Sequence, residues 1–188
     1  MGKQNTTNWK SWLYLVLVLF ACGLMLASFA LPWWQASQLT VKSYTTNSSI
    51  TDAITIYGYG LRDKLVHLAS YITSDVTPFY QTVLAWVYVG ISVCLALVST
   101  RLKGLKGMLL LGFIGMGYIG YAAAAAFVVV SRRLAVYGFA LRGSSTIVRN
   151  GAVLTMQAEL THGYYLAFAA GALFIVLALL RLFFKWDK

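Results

Sequence analysis

Charge is what this chain lacks most: Asp, Glu, Lys and Arg make up 11% of its 188 residues, where a soluble protein averages about 25%. That shortage excludes an ordinary soluble domain and reads as a membrane protein. The charges that are present avoid four windows, 12–34, 79–98, 108–130 and 163–184, apart from Arg181 near the end of the last. Each window is long enough for a helix to cross a hydrocarbon core of ~30 Å, which takes about 20 apolar residues. The absence of intramembrane ionisable groups argues against a proton relay or a transporter with buried charges. It leaves open an oligomeric pore lined by backbone or hydroxyl groups.

Cysteine is nearly absent as well. Cys22 and Cys94 both fall inside the windows, so no disulfide staples the segments between them, and packing must hold those loops. The first window follows Lys3 and Lys10 as a secretory signal would. Its apolar run, however, exceeds the roughly 7 to 15 residues of a signal core, and Pro32-Trp33-Trp34 is a poor cleavage site. It is kept as a membrane span.

The net charge of +10 follows membrane topology better than nucleic-acid binding. Lys3 and Lys10, then Arg101, Lys103 and Lys106, then Arg181, Lys185 and Lys188 cluster in the two termini and the short loop 99–107. Positive charge in short segments marks the cytoplasmic side. This predicts a multi-pass protein of the cell membrane with both termini cytoplasmic and outer loops 35–78 and 131–162. The second outer loop dissents, with Arg132, Arg133, Arg142 and Arg149 against Glu159.

Both outer loops carry strand signals. Segments 39–44 and 50–57 are rich in β-branched and aromatic residues around a polar turn at 45–49. Segments 146–149 and 152–155 flank Asn150-Gly151, the dipeptide that best tolerates a type I′ hairpin. The fold class predicted is an all-α transmembrane four-helix bundle with a small extracellular antiparallel β-sheet cap of four or five strands, formed by the two outer loops. Leu61, Leu65, Leu68 and Ile72 recur at helical spacing and predict a short surface helix before the second span, which Thr77-Pro78 opens.

Two heptapeptides are nearly the same, Ile56-Tyr57-Gly58-Tyr59-Gly60-Leu61-Arg62 and Val136-Tyr137-Gly138-Phe139-Ala140-Leu141-Arg142. One lies in each outer loop. They predict matched strands meeting near an approximate twofold axis along the membrane normal.

Leu31-Pro32-Trp33-Trp34 at the first exit, Gly60-Leu61 late in the first loop and Gly163-Tyr164-Tyr165-Leu166-Ala167 opening the last span resemble the claudin and peripheral-myelin-protein type of tetraspan. The resemblance is topological over the whole chain and specific at about ten positions. In claudins a Trp and then a cysteine pair follow Gly-Leu; here Arg62 follows and neither loop contains Cys. What the resemblance implies is lateral assembly, adhesion or accompaniment of another membrane protein, without enzymatic activity.

Candidate chemistry is sparse. Asp63 and His67 (i, i+4) and Glu159 and His162 (i, i+3) can each share a helix face, and together they offer two imidazoles and two carboxylates to copper, zinc or iron. The plainer expectation is an interfacial His67 paired with Asp63 and a His162 that caps the last helix near Glu159, with no cofactor and no metal. Gly112, Gly115, Gly117 and Gly120 on the third span, and Gly163, Ala167 and Gly171 on the fourth, give small-residue surfaces for close helix packing. Trp33, Trp34 and Tyr80 at one boundary, and Trp12 and Trp186 at the other, suit interfacial anchoring. Asn47-Ser48-Ser49 is a glycosylation sequon in an outer loop.

The function expected is non-enzymatic protein–protein assembly, as accessory subunit of a membrane complex or in a homo-oligomeric array. The contact set expected is Trp33, Trp34, Tyr57, Tyr59, Arg62, Tyr137, Phe139, Arg142 and Arg149, since interfaces favour aromatic and Arg anchors. Partners expected are the lipid bilayer and other membrane subunits or copies of the chain, and not nucleic acid. The alternatives are a metal- or quinone-associated subunit of a respiratory or oxidase-type complex, or an oligomeric pore.

Overall fold

The computed structural model describes residues 5–43, 47–63, 79–102, 104–136, 138–149 and 151–184. Helix α1 (Asn5–Ala30) leads into strands β1 (Pro32–Lys42), β2 (Asn47–Tyr57) and β3 (Gly60–Asp63), followed by helices α2 (Phe79–Ser99) and α3 (Leu105–Ala123). A π-helical segment, Ala124–Val130, joins α3 to α4 (Ser131–Val136); then come β4 (Gly143–Arg149), β5 (Ala152–Leu160) and α5 (His162–Phe184). The described chain contains four helices long and apolar enough to cross a membrane, Trp9–Ala30, Tyr80–Ser99, Leu105–Val136 and His162–Arg181. Their outward faces are as apolar as their inward ones: Phe113, Leu84 and Ile91 are 73%, 62% and 54% exposed.

Helix α5 packs against α1 on one side and α3 on the other, while α2 closes the ring between α3 and α1 with fewer contacts. The α3–α5 contact is close because both sides supply glycine. A Cβ on Gly115 would stand 2.6 Å from the Gly171 carbonyl oxygen, and one on Gly171 would stand 2.9 Å from the Gly115 oxygen. Backbones that near exchange dispersion contacts with no side chain between them. Ala167 is fully buried on α5. Gly117 faces the Tyr88 hydroxyl, with 3.4 Å to a would-be Cβ, and Gly120 meets nothing within 4 Å, so Gly120 contributes no packing contact.

The five strands form one antiparallel sheet in the order β3-β2-β1-β5-β4. Strands from both segments that separate the long helices thus enter one sheet through the β1–β5 pairing, which runs from Trp34 opposite Leu160 to Lys42 opposite Val153. A bulge between Ala36 and Gln38 shifts the register against β2 and β5 alike. The alternating sequence of β5 buries Ala152, Leu154, Met156 and Ala158 on one face, as a half-buried strand must.

The apolar face of the sheet is covered by the continuation of α3. From Leu105 to Val136 the helix runs 32 residues, or ~48 Å at 1.5 Å per residue, well beyond the ~30 Å of a bilayer core. Its far end brings Val130 and Leu134 against Trp34, Leu39 and Met156. The buried positions Ala122, Ala126, Val130 and Leu134 recur at strict fours. A stripe of fours drifts about 40° per step around an α-helix; the wider π turn at Ala124–Val130 drifts the other way and keeps the stripe pointed inward.

Several sequence expectations are corrected here. The first helix ends at Ala30, four residues short of the window boundary, and Trp33 and Trp34 belong to β1. The third helix does not stop at residue 130 but reaches Val136. The surface helix expected from Leu61 does not begin there, because Leu61, Arg62 and Asp63 pair with β2 in β3; its remainder, with Leu65, His67, Leu68 and Ile72, lies outside the described residues.

The heptapeptides are not matched strands. The first is a hairpin, with Tyr57 opposite Gly60 and Gly58-Tyr59 as its turn. The second begins at the end of α4, where the Gly138 N–H donates to Ala135 and the Phe139 N–H to Leu134. That pair of bonds is a Schellman cap around Gly138, whose φ is 80°.

Candidate functional site

The densest cluster of named residues lies where the sheet meets the bundle. Successive strand residues point to opposite faces, so Trp33 and Trp34 part company. Trp33 enters the helix core, donating its indole N–H to the Ser28 carbonyl at 2.7 Å. Trp34 enters the sheet core and donates to the Leu141 carbonyl at 2.7 Å. They are 3% and 1% exposed, and Phe139 is 4% exposed. Their burial corrects the expectation that they anchor a partner: they hold two cores together across one strand. It likewise leaves neither indole facing outward, as an interfacial anchor would.

Around Trp33 stand Tyr118, Tyr121 and Tyr164, all edge-on with ring centroids 5.8 to 6.3 Å away. Phe29 meets it edge-on at 6.4 Å. The β2–β3 turn is set onto this floor. Tyr121 donates its hydroxyl to the Gly58 carbonyl at 2.5 Å, and a Cβ on Gly58 would lie 2.7 Å from Phe29 and 2.8 Å from Trp33. Tyr57 stacks on Tyr59 (5.0 Å, 14°) and Tyr59 on Trp86 of α2 (5.6 Å, 28°). Tyr57 and Tyr59 remain half-buried, the described part of the expected contact set with surface to offer besides Arg142, which is exposed. Backbones of Arg62 and Arg149 sit on the two edge strands β3 and β4; Tyr137 lies outside the described residues.

The opposite face of the sheet is open and carries two lines of polar side chains beside the exposed Val148–Val153 pair. Register places Ser49 opposite Thr40, Thr40 opposite Thr155 and Thr155 opposite Thr146, a line of hydroxyls across four strands. The Thr146 and Thr155 hydroxyls are 3.2 Å apart. Gln38, Gln157 and Ser144 form the adjacent line and are exposed. This face was not singled out from the sequence, although the alternation of β5 carries its signal.

Two further residues escaped sequence reasoning. Tyr118 holds the bundle together from inside, sharing a 2.7 Å hydrogen bond with the Ser28 hydroxyl and reaching the Met25 carbonyl at 3.1 Å. Arg181 is buried and ties α5 to the α2–α3 turn, donating to the Ser99 carbonyl at 2.5 Å and to the Leu102 carbonyl. Its guanidinium stands 5.7 Å from the Tyr14 ring centroid. A cation over the last carbonyls of α2 also complements that helix dipole.

The Glu159–His162 pair does not share a helix face as expected. Glu159 is exposed on β5, whereas His162 is exposed as the first residue of α5. The expected His162 cap is not what holds the helix start: Thr161 fills the gap, its N–H donating to the Trp33 carbonyl at 3.0 Å and its hydroxyl to Pro32. Gly163 fits beside this junction because a Cβ there would lie 2.7 Å from the Leu31 oxygen. Asp63 ends β3, and His67 is outside the described residues. Among the described residues no group of three His, Cys, Asp or Glu is placed to hold a metal ion. No family model matches the chain, and no significant match to a curated protein was found.

Proposed function

We propose that the chain is a multi-pass protein of the cell membrane acting in protein–protein assembly, with both termini and the α2–α3 turn cytoplasmic and the sheet outside. Supporting the membrane reading are four apolar helices whose outward side chains are large and greasy, an arrangement that water penalises and lipid accepts. Supporting the orientation are the Lys and Arg residues of the short segments. Arg132 and Arg133, which run against that bias, lie on α4, past the length of helix a bilayer core needs.

The observation that carries the assembly reading is the polar outer face of the sheet. It is an array of hydroxyls and amides on a sheet whose other face is backed by the Trp34, Leu39 and Met156 core, suited to recognising another surface through hydrogen bonds. The likeness to claudin-type tetraspans, which imply lateral association, runs the same way. The chain acts without enzymatic chemistry or a bound cofactor, as accessory subunit or in an array of its own copies.

The test is the double substitution Gln38→Arg and Gln157→Arg, two exposed positions that leave both cores untouched. Extracted from native membrane in mild detergent, the variant should lose its companion proteins or its oligomeric size while keeping the thermal stability of the wild type. Companions and size unchanged in the folded variant would refute the use of this face.

A further inference from the structure

Toward the end of the bundle away from the sheet, α3 and α5 line an apolar recess of about 380 Å³. Met108, Leu109, Gly112, Phe113, Ile175 and Ala178 are among its lining. Both helices belong to the four that can cross a membrane, so on the reading proposed above the recess opens onto hydrocarbon. From Met108 to Met116 it follows α3 for ~12 Å.

The shape argues against a helix as occupant. Helices dock closely where small residues flatten the surface. Here Gly112 is recessed, with a would-be Cβ 3.9 Å from the Ala178 Cβ, while the walls beside it are tall: Leu109, Phe113 and Met116 are 57%, 73% and 63% exposed. Such a slot admits one flexible chain and holds a helix backbone away.

Charge at its mouth selects the headgroup. Exposed Lys106 stands one turn before Leu109 and two before Phe113 on the same helix face. The first turn of α3 has no acidic residue, so the positive end of the helix dipole adds to the charge of the lysine. Basic sites between helices on the cytoplasmic side suit anionic headgroups.

We infer that the recess binds one acyl chain of an anionic phospholipid, with its phosphate against Lys106 and the start of α3. The inference rests on the membrane reading. Its test is native mass spectrometry of the full-length chain in mild detergent with equal amounts of dioleoyl phosphatidylglycerol and dioleoyl phosphatidylcholine. The wild type should retain the glycerol lipid about fivefold over the choline lipid. Lys106→Gln, at an exposed position, should bring that ratio close to one. Gly112→Leu, whose side chain fills the slot, should strip both lipids.

Equal retention of the two lipids by the wild type overturns the inference, as does a Lys106→Gln variant that keeps the full preference. A lipid-free dimer that Gly112→Leu disperses would assign the recess to a second copy, and so overturns it too. Failure of the membrane reading has a separate signature, release of the chain from native membranes by alkaline carbonate, which would remove both readings together.

Discussion

The two heptapeptides share Tyr, Gly, Leu and Arg at matching positions and fold into different objects. In the first, Gly58 is needed for space: its φ is not positive, but it lies in the turn with no room for a Cβ above Phe29 and Trp33. In the second, Gly138 is needed for backbone angle: φ is 80°, and the nearest atom to a Cβ is Cγ2 of Ile147 at 3.0 Å. The same letter therefore answers a tertiary demand in one copy and a local one in the other. What precedes each copy decides between them: a strand feeds the first, and a helix that has outrun the bundle feeds the second.

The comparison breaks most visibly at Gly58→Ala. Phe29 is fully buried and Trp33 is 3% exposed and pinned through its indole N–H to Ser28, so neither ring can withdraw. Overpacking of this kind costs about 2 to 3 kcal/mol. Reversible unfolding in mixed micelles should show that loss, together with a weakened near-ultraviolet signal from the tryptophans. A loss below ~0.5 kcal/mol, the size of an ordinary surface change, would mean that the turn does not rest on that floor.

The same contrast shows what a reader of the sequence can and cannot see. Features set by short-range chemistry were legible: four apolar helices, and the β4–β5 hairpin around Asn150-Gly151, where Gly151 has φ 74°. Features set by packing partners far along the chain were not. Trp33-Trp34 reads as a helix exit with interfacial anchors, and only the pairing of β1 with both β2 and β5 turns the two indoles to opposite sides. The stripe Ala122, Ala126, Val130 and Leu134 blends into an alanine- and valine-rich run, so nothing local announces that the helix passes through a π turn into the sheet core. Arg181 looks like a terminal charge until the α2–α3 turn closes over it. At the junction, Tyr57, Gly58 and Tyr59 could be picked out by their repetition, but the Tyr121 that fastens them could not.

That fastening supplies the second test. Tyr121→Phe keeps the ring beside Trp33, 5.8 Å between centroids, and beside Tyr88 at 5.4 Å. It removes only the hydroxyl that meets the Gly58 carbonyl at 2.5 Å. Leaving a buried acceptor without its donor costs about 1 to 2 kcal/mol, less than the steric conflict of Gly58→Ala. Amide hydrogen exchange should quicken in the β2–β3 turn and stay unchanged in β4. Equal acceleration in both places would show that the two copies are coupled, contrary to the separation drawn above.

The smallest effect belongs to the second copy, and its sign pattern is more telling than its size. Gly138→Ala places a Cβ in the left-handed region at a cost of about 1 kcal/mol, and the Ile147 methyl it approaches is on a half-buried edge strand that can shift. Asparagine tolerates positive φ through local hydrogen bonding of its side chain, so Gly138→Asn should recover at least half of that loss. At Gly58 the order must reverse: asparagine, being larger, should be worse than alanine above the Phe29 and Trp33 rings. Four variants compared by midpoint of unfolding settle it, because a space-limited glycine ranks its replacements by volume and an angle-limited one ranks them by backbone preference. If both sites prefer alanine to asparagine, the cap around Gly138 does not depend on its φ, and the two copies are more alike than their hydrogen bonds indicate.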